Sequence, residues 1–373
     1  MSRRPVLSCA GDEYLALLRA SLWGGVVADA PSDVAAVLQL ADSQKTVPLI
    51  GDALFRGGFY PDGKMARTIS SIIATTVVNQ DLQCREISAV ASLLAANGIS
   101  VVLLKGQGLA RYYPKATLRE CGDIDLWVPE GDYPRSCELL LEYEKGLGEV
   151  AYHQSDKHFH LRRGYVIVEL HRRAEVLTSP RLDALYRLME LDGLTRNTVP
   201  MDFCGEAVST PADTFNALYV FLHAWDHFTG YGIGLRQICD WTMFLHARAG
   251  TLDLAALRES LTALGLMRPW QVFGALAVDV LGLPASEMPF YQARFARRGR
   301  NLFDLIIEEG NFGKERSVRK HRNSGTVAKK SRTVGALFMR AFRMLPVFPL
   351  LGFSLFFRGI GSGIRKICVA ISA

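Results

Sequence analysis

The sequence predicts an α+β protein, with a small mixed sheet flanked by N-terminal and C-terminal helical regions. Three observations predict it. Apolar residues recur at helical spacing through residues 1–98 and again after Pro211. Between them lie short β-branched or alternating runs, at Ile99–Leu104, Asp123–Val128, Lys157–Arg163 and Tyr165–His171. At 373 residues, with 49% hydrophobic and 21% charged side chains, the chain has enough apolar material for two or three cored domains.

In the first region the helical spacing is clearest at Tyr14–Leu22, Val34–Leu40, Ile69–Val78 and Ile87–Ala96. Pro31-Ser32-Asp33 supplies a helix start, Gly57-Gly58 and Pro61-Asp62-Gly63 a loop, and Asn97-Gly98 a stop. Ile99–Leu104 reads as a strand buried on both faces. A short helix, Leu109–Tyr113, ends before Pro114, and Asp132–Glu144 is amphipathic with Pro134 in its first turn. Lys157–Arg163 and Tyr165–His171 read as a hairpin turning at or near Gly164, with Ile167, Glu169 and His171 on one face of its second arm. Helices are expected again at Asp213–Phe228, Leu235–Ala249, Leu254–Leu264 and Pro269–Leu281. The resulting division is 1–98 helical, 99–205 α/β core, 206–312 helical, and 313–373 a basic linker with an apolar end.

The net charge of +6 is modest and concentrated towards the C-terminus. It favours an anionic partner without choosing among nucleotide, nucleic acid and lipid headgroup. The first residues lack a continuous apolar signal region, so a cytoplasmic location is expected. Seven scattered cysteines without a C-x-x-C pair suit a reducing compartment and argue against a disulfide framework or a thiolate zinc site.

The chemistry centres on 101–128. Asp123 and Asp125 alternate with apolar residues on one strand and so project from one face. Paired carboxylates repel unless a cation or proton lies between them, which makes Asp-Ile-Asp a candidate divalent-metal site. Glu169 can join them if its strand lies alongside, and three carboxylates are a hard-cation set that also recruits phosphates. The Lys105-Gly106 turn lets an anion approach the backbone, with Lys105 as a phosphate contact or a solvated turn residue. His171 shares the Glu169 face as a partner of that site or as a packing residue. His158 and His160 read as a solvated hairpin arm. His223 and His227, four apart on a helix without an intervening metalloprotease glutamate, read as cleft or core residues. Arg236 and Asp240, also four apart, either pair or point together into a cleft.

Residues 313–332 hold eight Lys/Arg and one Glu, the pattern of an exposed linker. Met344–Phe357 is apolar, broken by two prolines, and shorter than the roughly 20 residues a membrane-spanning helix needs. With Arg358, Arg365 and Lys366 beyond it, this end reads either as a peripheral membrane contact or as a segment packing back on the helices.

Four stretches together resemble a known family: LLKG ending at Gly106, Arg119 followed by DIDLWV, VELH ending at His171, and LRQICDW from Leu235. They are similar to the uncharacterised nucleotidyltransferase family, a branch of the polymerase-beta-like superfamily, from about residue 70 to 250. The resemblance implies a minimal nucleotidyltransferase fold. It implies that Asp123 and Asp125 are the paired metal aspartates, with Glu169 as the third carboxylate, and that Mg²⁺ or Mn²⁺ is the ion. Gly106 falls at the glycine of the phosphate-binding turn. Here it is followed by Gln107 where the superfamily usually has serine, and the gap to Asp123 is longer, so Lys105, Arg111 or Arg119 is expected to carry part of the phosphate charge.

The reaction implied transfers a nucleoside monophosphate from a nucleoside triphosphate to a hydroxyl acceptor, with pyrophosphate released. Glu169 would serve as ligand or base, and His171, His223, Arg236 and Asp240 would shape the acceptor side. Relatives tend to occur beside envelope-polysaccharide or peptide-tailoring functions, and an RNA acceptor is equally compatible. The rival readings are a non-catalytic nucleotide- or membrane-associated scaffold and a γ-phosphate kinase.

Overall fold

The structure is a computed structural model that describes residues 4–145, 151–154, 158–163, 166–230, 232–310 and 339–352. Four helices open the chain: α1 (Arg4–Leu22), α2 (Val34–Gln44), α3 (Val47–Arg56) and α4 (Gly63–Ala96). The Asp33 carboxylate caps α2 by accepting from Ala36 N, and Asp62 caps α4 by accepting from Lys64 N and Met65 N. The two helices expected at Ile69–Val78 and Ile87–Ala96 are one helix of 34 residues. The polar stretch between them does not interrupt it, because Gln80, Gln83 and Glu86 are buried, Gln80 donating to the Arg119 carbonyl and Gln83 accepting from Gln107.

The middle of the chain alternates short strands and helices. In order they are β1 (Val102–Leu103), α5 (Gln107–Ala110), β2 (Ile124–Trp127), α6 (Tyr133–Lys145), β3 (Ala151–Gln154), β4 (His158–Arg163) and β5 (Val166–His171). They are followed by α7 (Pro180–Thr195), β6 (Val199–Phe203) and β7 (Glu206–Thr210). The strands form one mixed sheet in the order β3-β4-β5-β2-β1-β7-β6. β2 runs parallel to β5 and β1 parallel to β7, and the other neighbours are antiparallel. The hairpin of β4 and β5 is present, while its expected turn at Gly164 lies outside the described residues. The expected core boundary at residue 205 falls inside the Cys204-Gly205 turn of a second hairpin, whose strand β7 completes the sheet beside β1.

Alternation along the strands splits the apolar residues between two cores. Leu103, Ile124, Leu126, Val168 and Leu170 pack with Ile87, Val90 and Leu94 of α4 and Leu140 of α6. Val102, Leu104 and Trp127 face the other way and join the large core of the helical layer. That layer contains α8 (Asp213–Gly230), α9 (Leu235–Arg248), α10 (Leu254–Ala263), α11 (Met267–Ala275) and α12 (Ala296–Glu309), with α1 to α3 packed onto it. A π-helical turn, Leu276–Leu281, continues α11. Among the described residues no single helix is long and apolar enough to cross a membrane.

The first part of the apolar C-terminal segment packs back on this layer. Met344, Val347 and Phe348 are buried, and Phe348 meets the rings of Trp225, Phe228 and Phe273. The basic run at 313–332 and the residues after 352 lie outside the described residues.

Candidate active site

β2 and β5 are parallel neighbours in register, with Asp125 beside Glu169 and Trp127 beside His171. Because the side chains alternate, Ile124 and Val168 enter one core while Asp125, Glu169 and His171 emerge together on the opposite face. One ligand atom from each of these three lies within 4.8 Å of the others. Asp125 is fully buried. Its Oδ1 accepts from Lys105 Nζ at 3.0 Å and lies 3.0 Å from His171 Nε2, while its Oδ2 is buried with no hydrogen-bond partner. His171 Nε2 also lies 3.6 Å from Glu169 Oε2, and His160 Nδ1 lies 3.1 Å from Glu169 Oε1. His160 thus belongs to the acid cluster rather than to a solvated arm. β4 sets it directly opposite Glu169.

Asp123 stands one residue before β2, half-buried, and lines the same cavity as Asp125, Lys105 and Gly106. The Asp125 charge, followed by burial, raises its pKa above the ordinary carboxylate value. Burial alone would raise that of Asp125. The Lys105 ammonium and the His171 hydrogen bond outweigh burial and hold the Asp125 carboxyl well below the usual range. The same contacts act on the partners. Burial disfavours the charged His171 ring, but its hydrogen bonds to Asp125 and Glu169 prevail and push its pKa up to about 9. Burial likewise disfavours the Lys105 ammonium, and Asp125 with Asp123 still holds its pKa above the usual lysine value.

Gly106 has φ +63, and a Cβ there would come within 3.2 Å of the Asp123 carbonyl oxygen. Conformation and crowding both therefore require glycine where the Lys105-Gly106 turn meets the acid strand. The helix that follows, α5, has only four residues, so its dipole adds little to anion binding there. The Gln107 side chain turns away from the cavity. It is buried and donates from Nε2 to Gln83 Oε1 on α4 at 2.6 Å.

Across the cavity the helical layer contributes α8 and α9. Arg119 and Asp240 reach its edge but are consumed by each other. Arg119 Nε and Nη2 donate to the two Asp240 oxygens at 3.0 and 2.6 Å, and Tyr113 Oη donates to Asp240 Oδ1 at 2.7 Å. Arg236 does not pair with Asp240. Its Nη1 donates to the Glu120 carbonyl at 2.6 Å, and its buried Nε has no hydrogen-bond partner.

His223 and His227 also line the cavity, with ring centroids 4.6 Å apart. His223 Nδ1 lies 2.8 Å from Glu175 Oε1. Burial first, then the neighbouring His223 and Lys105, pushes the His227 pKa down to about 4. Glu175 sits in the loop after β5, where nothing in the sequence marks it out. His160 had a signal, since the antiparallel pairing of β4 with β5 sets it opposite Glu169.

The donor set suits a hard divalent cation. Carboxylates of Asp125 and Glu169 emerge together on one sheet face, Asp123 joins Asp125 along the cavity wall, and the partnerless Asp125 Oδ2 is a buried lone-pair site that a cation would satisfy.

A family model described as uncharacterised nucleotidyltransferase matches residues 30–282, more than half of the chain and further in both directions than the quoted stretches. No curated protein matches. Among solved structures, the crystal structure of an antigenic nucleotidyltransferase-like protein from Paracoccidioides brasiliensis aligns at 16% identity with a TM-score of 0.32. The alignment covers 50% of this chain and 88% of that one.

Proposed function

The chain belongs to the uncharacterised nucleotidyltransferase family, and from that premise we propose a metal-dependent transfer of a nucleoside monophosphate to an acceptor hydroxyl, with release of pyrophosphate. The observation that carries this reading is the in-register pairing of Asp125 with Glu169, next to Asp123 and below a glycine turn bearing Lys105. Mg²⁺ or Mn²⁺, held by Asp123, Asp125 and Glu169, would neutralise phosphate charge and orient the α-phosphate. His160 and His171 hold the Glu169 carboxylate in place, and His171 with Lys105 fixes Asp125.

Lys105 and Arg236 then meet the triphosphate from opposite walls. Arg236 has an Nε donor to spare, whereas Arg119 is neutralised by Asp240 and serves to hold its loop. On the acceptor side, the ionised Glu175 carboxylate can only accept, so it fixes the Nδ1–H tautomer of His223 and leaves Nε2 as the basic atom. His223 is thereby placed to take the acceptor proton as the hydroxyl attacks the α-phosphorus. The acceptor can be a sugar, small-molecule, peptide or RNA hydroxyl.

The test is to incubate the full chain with α-labelled nucleoside triphosphates, divalent metal and a metabolite extract. Labelled product together with pyrophosphate is expected, and an Asp123→Asn, Asp125→Asn double variant with unchanged circular dichroism should make neither. Full activity in that variant would sink the proposal. Release of a nucleoside diphosphate would replace it with γ-phosphate transfer.

A further inference from the structure

Cys84 and Cys204 are 120 residues apart in sequence, yet their sulfurs lie 2.9 Å apart. Cys84 is on α4 and half-buried, and Cys204 is exposed in the turn joining β6 to β7. Cys204 and Gly205 have φ +52 and +88, which makes this a two-residue hairpin loop of the type that favours Asn-Gly or Asp-Gly. A cysteine costs more in the left-handed region than either of those, and a residue held there against preference is where function is to be sought. The hairpin is otherwise fixed at this end by Phe203, which is buried and lies 4.5 Å beneath the Arg111 guanidinium.

We propose that Cys84 and Cys204 are an oxidisable dithiol that closes to an intramolecular disulfide in the presence of a small-molecule disulfide. The exposed Cys204 thiolate attacks the reagent, forming a mixed disulfide and expelling one thiolate. Cys84 then attacks the Cys204 sulfur and expels the second. Two thiol protons and two electrons leave the protein, and the reagent departs as two thiols. The sulfurs need to approach by only about 0.9 Å to reach bonding distance. Burial, followed by the adjacent Cys204 thiol, pushes the Cys84 pKa up to about 11, which suits Cys84 to the second step rather than to first contact with the reagent.

The bond would fasten the sheet edge to α4 one residue beyond Gln83, which holds Gln107 of the phosphate-side turn. Oxidation is therefore coupled to the rigidity of the Lys105-Gly106 approach. None of this depends on the reaction that the acid cluster carries out.

The reduced full chain should be equilibrated with oxidised and reduced glutathione, blocked with an alkylating agent, and mapped by non-reducing peptide mass spectrometry. A cross-linked peptide joining Cys84 to Cys204, in a chain still monomeric on a non-reducing gel, is expected. The melting temperature should rise by on the order of 5–10 °C on oxidation, because the bond closes a long loop. Cys84→Ser and Cys204→Ser should each abolish both effects. The proposal is overturned if Cys204 remains a mixed disulfide with glutathione, links two chains, or pairs as often with Cys9 or Cys121.

Discussion

Arg119 and Asp240 illustrate how far a single residue can be read without its partner. Each is charged, each borders the cavity, and the helical spacing placed Asp240 with Arg236 rather than Arg119. Their side chains are only 6% and 4% exposed, so the pair is a buried bidentate one of the kind whose disruption strands a charge. Asp240→Ala should cost about 3–5 kcal/mol in denaturant unfolding. The Arg85–Asp81 pair is exposed and screened by solvent, so Asp81→Ala is the control and should leave the unfolding midpoint where it was. His227 sets a pH dependence of opposite origin. Its pKa of about 4 lies below the ordinary 6.5, so between those values the unfolded chain binds more protons than the folded one. Stability should fall as pH drops from 6.5 towards 4, by on the order of 3 kcal/mol at most. Urea midpoints across this window should flatten in His227→Gln relative to the parent chain. Asp123 stands just before the strand and alternation does not place it, whereas the neighbourhood of Asp125 and Glu169 was legible because alternation and strand identity suffice to put them on one face. Glu175 was not, since loop residues carry no period, and His160 became meaningful only once β4 and β5 were in register.

At the scale of elements, legibility followed how strongly burial imposed a period. The helices of the C-terminal layer are apolar on a broad face and begin and end close to where the spacing put them. β6 was missed because its outward residues are Pro200 and Asp202, and it lies at the sheet edge, where both are tolerated. α4 read as two helices because its middle buries glutamines instead of leucines. Gln80 donates to the Arg119 carbonyl and Gln83 receives Gln107, so the polar stripe is an internal face holding the loops that border the candidate site. α12 shows the reverse constraint, a close approach with no signal beyond one glycine. A Cβ at Gly299 would lie 2.6 Å from Leu276 N and 2.7 Å from the Ala275 carbonyl carbon. Backbone cannot move aside as a flexible side chain can, so Gly299→Ala must push α12 away from the end of α11. A loss of about 2–3 kcal/mol is expected in thermal or urea unfolding. At Gly11, where a Cβ would meet nothing within 4 Å among the described residues, Gly11→Ala should be neutral or mildly stabilising.

On the scale of the whole molecule, the two cores explain why the sheet is complete without standing alone. One face closes on α4 and α6, and the other presents its acids to a cavity whose far wall belongs to α8 and α9. Anything that positions α8 therefore positions His223. The C-terminal segment does so in two ways. Arg340 pairs with Glu309 at 3.2 Å and donates to the Phe228 and Gly230 carbonyls at the end of α8, where a cation also suits the helix dipole. Phe348 fills the space between Trp225, Phe228 and Phe273. The two readings of this segment from sequence, membrane contact and packing back, now make opposite predictions for one side chain. Phe348→Ala should lose about 3–4 kcal/mol of stability by leaving an aromatic-lined void. It should also shift the emission of Trp225, while binding to anionic vesicles stays unchanged. A membrane-facing Phe348 would do the reverse, costing vesicle affinity and leaving the unfolding midpoint where it was. Because Phe348 is 5% exposed while Phe342 in the same segment is 70% exposed, Phe342→Ala separates the outer face from the inner one. It should leave stability within about 0.5 kcal/mol of the parent, so a large loss there would mean that the outer face too is covered in the intact chain.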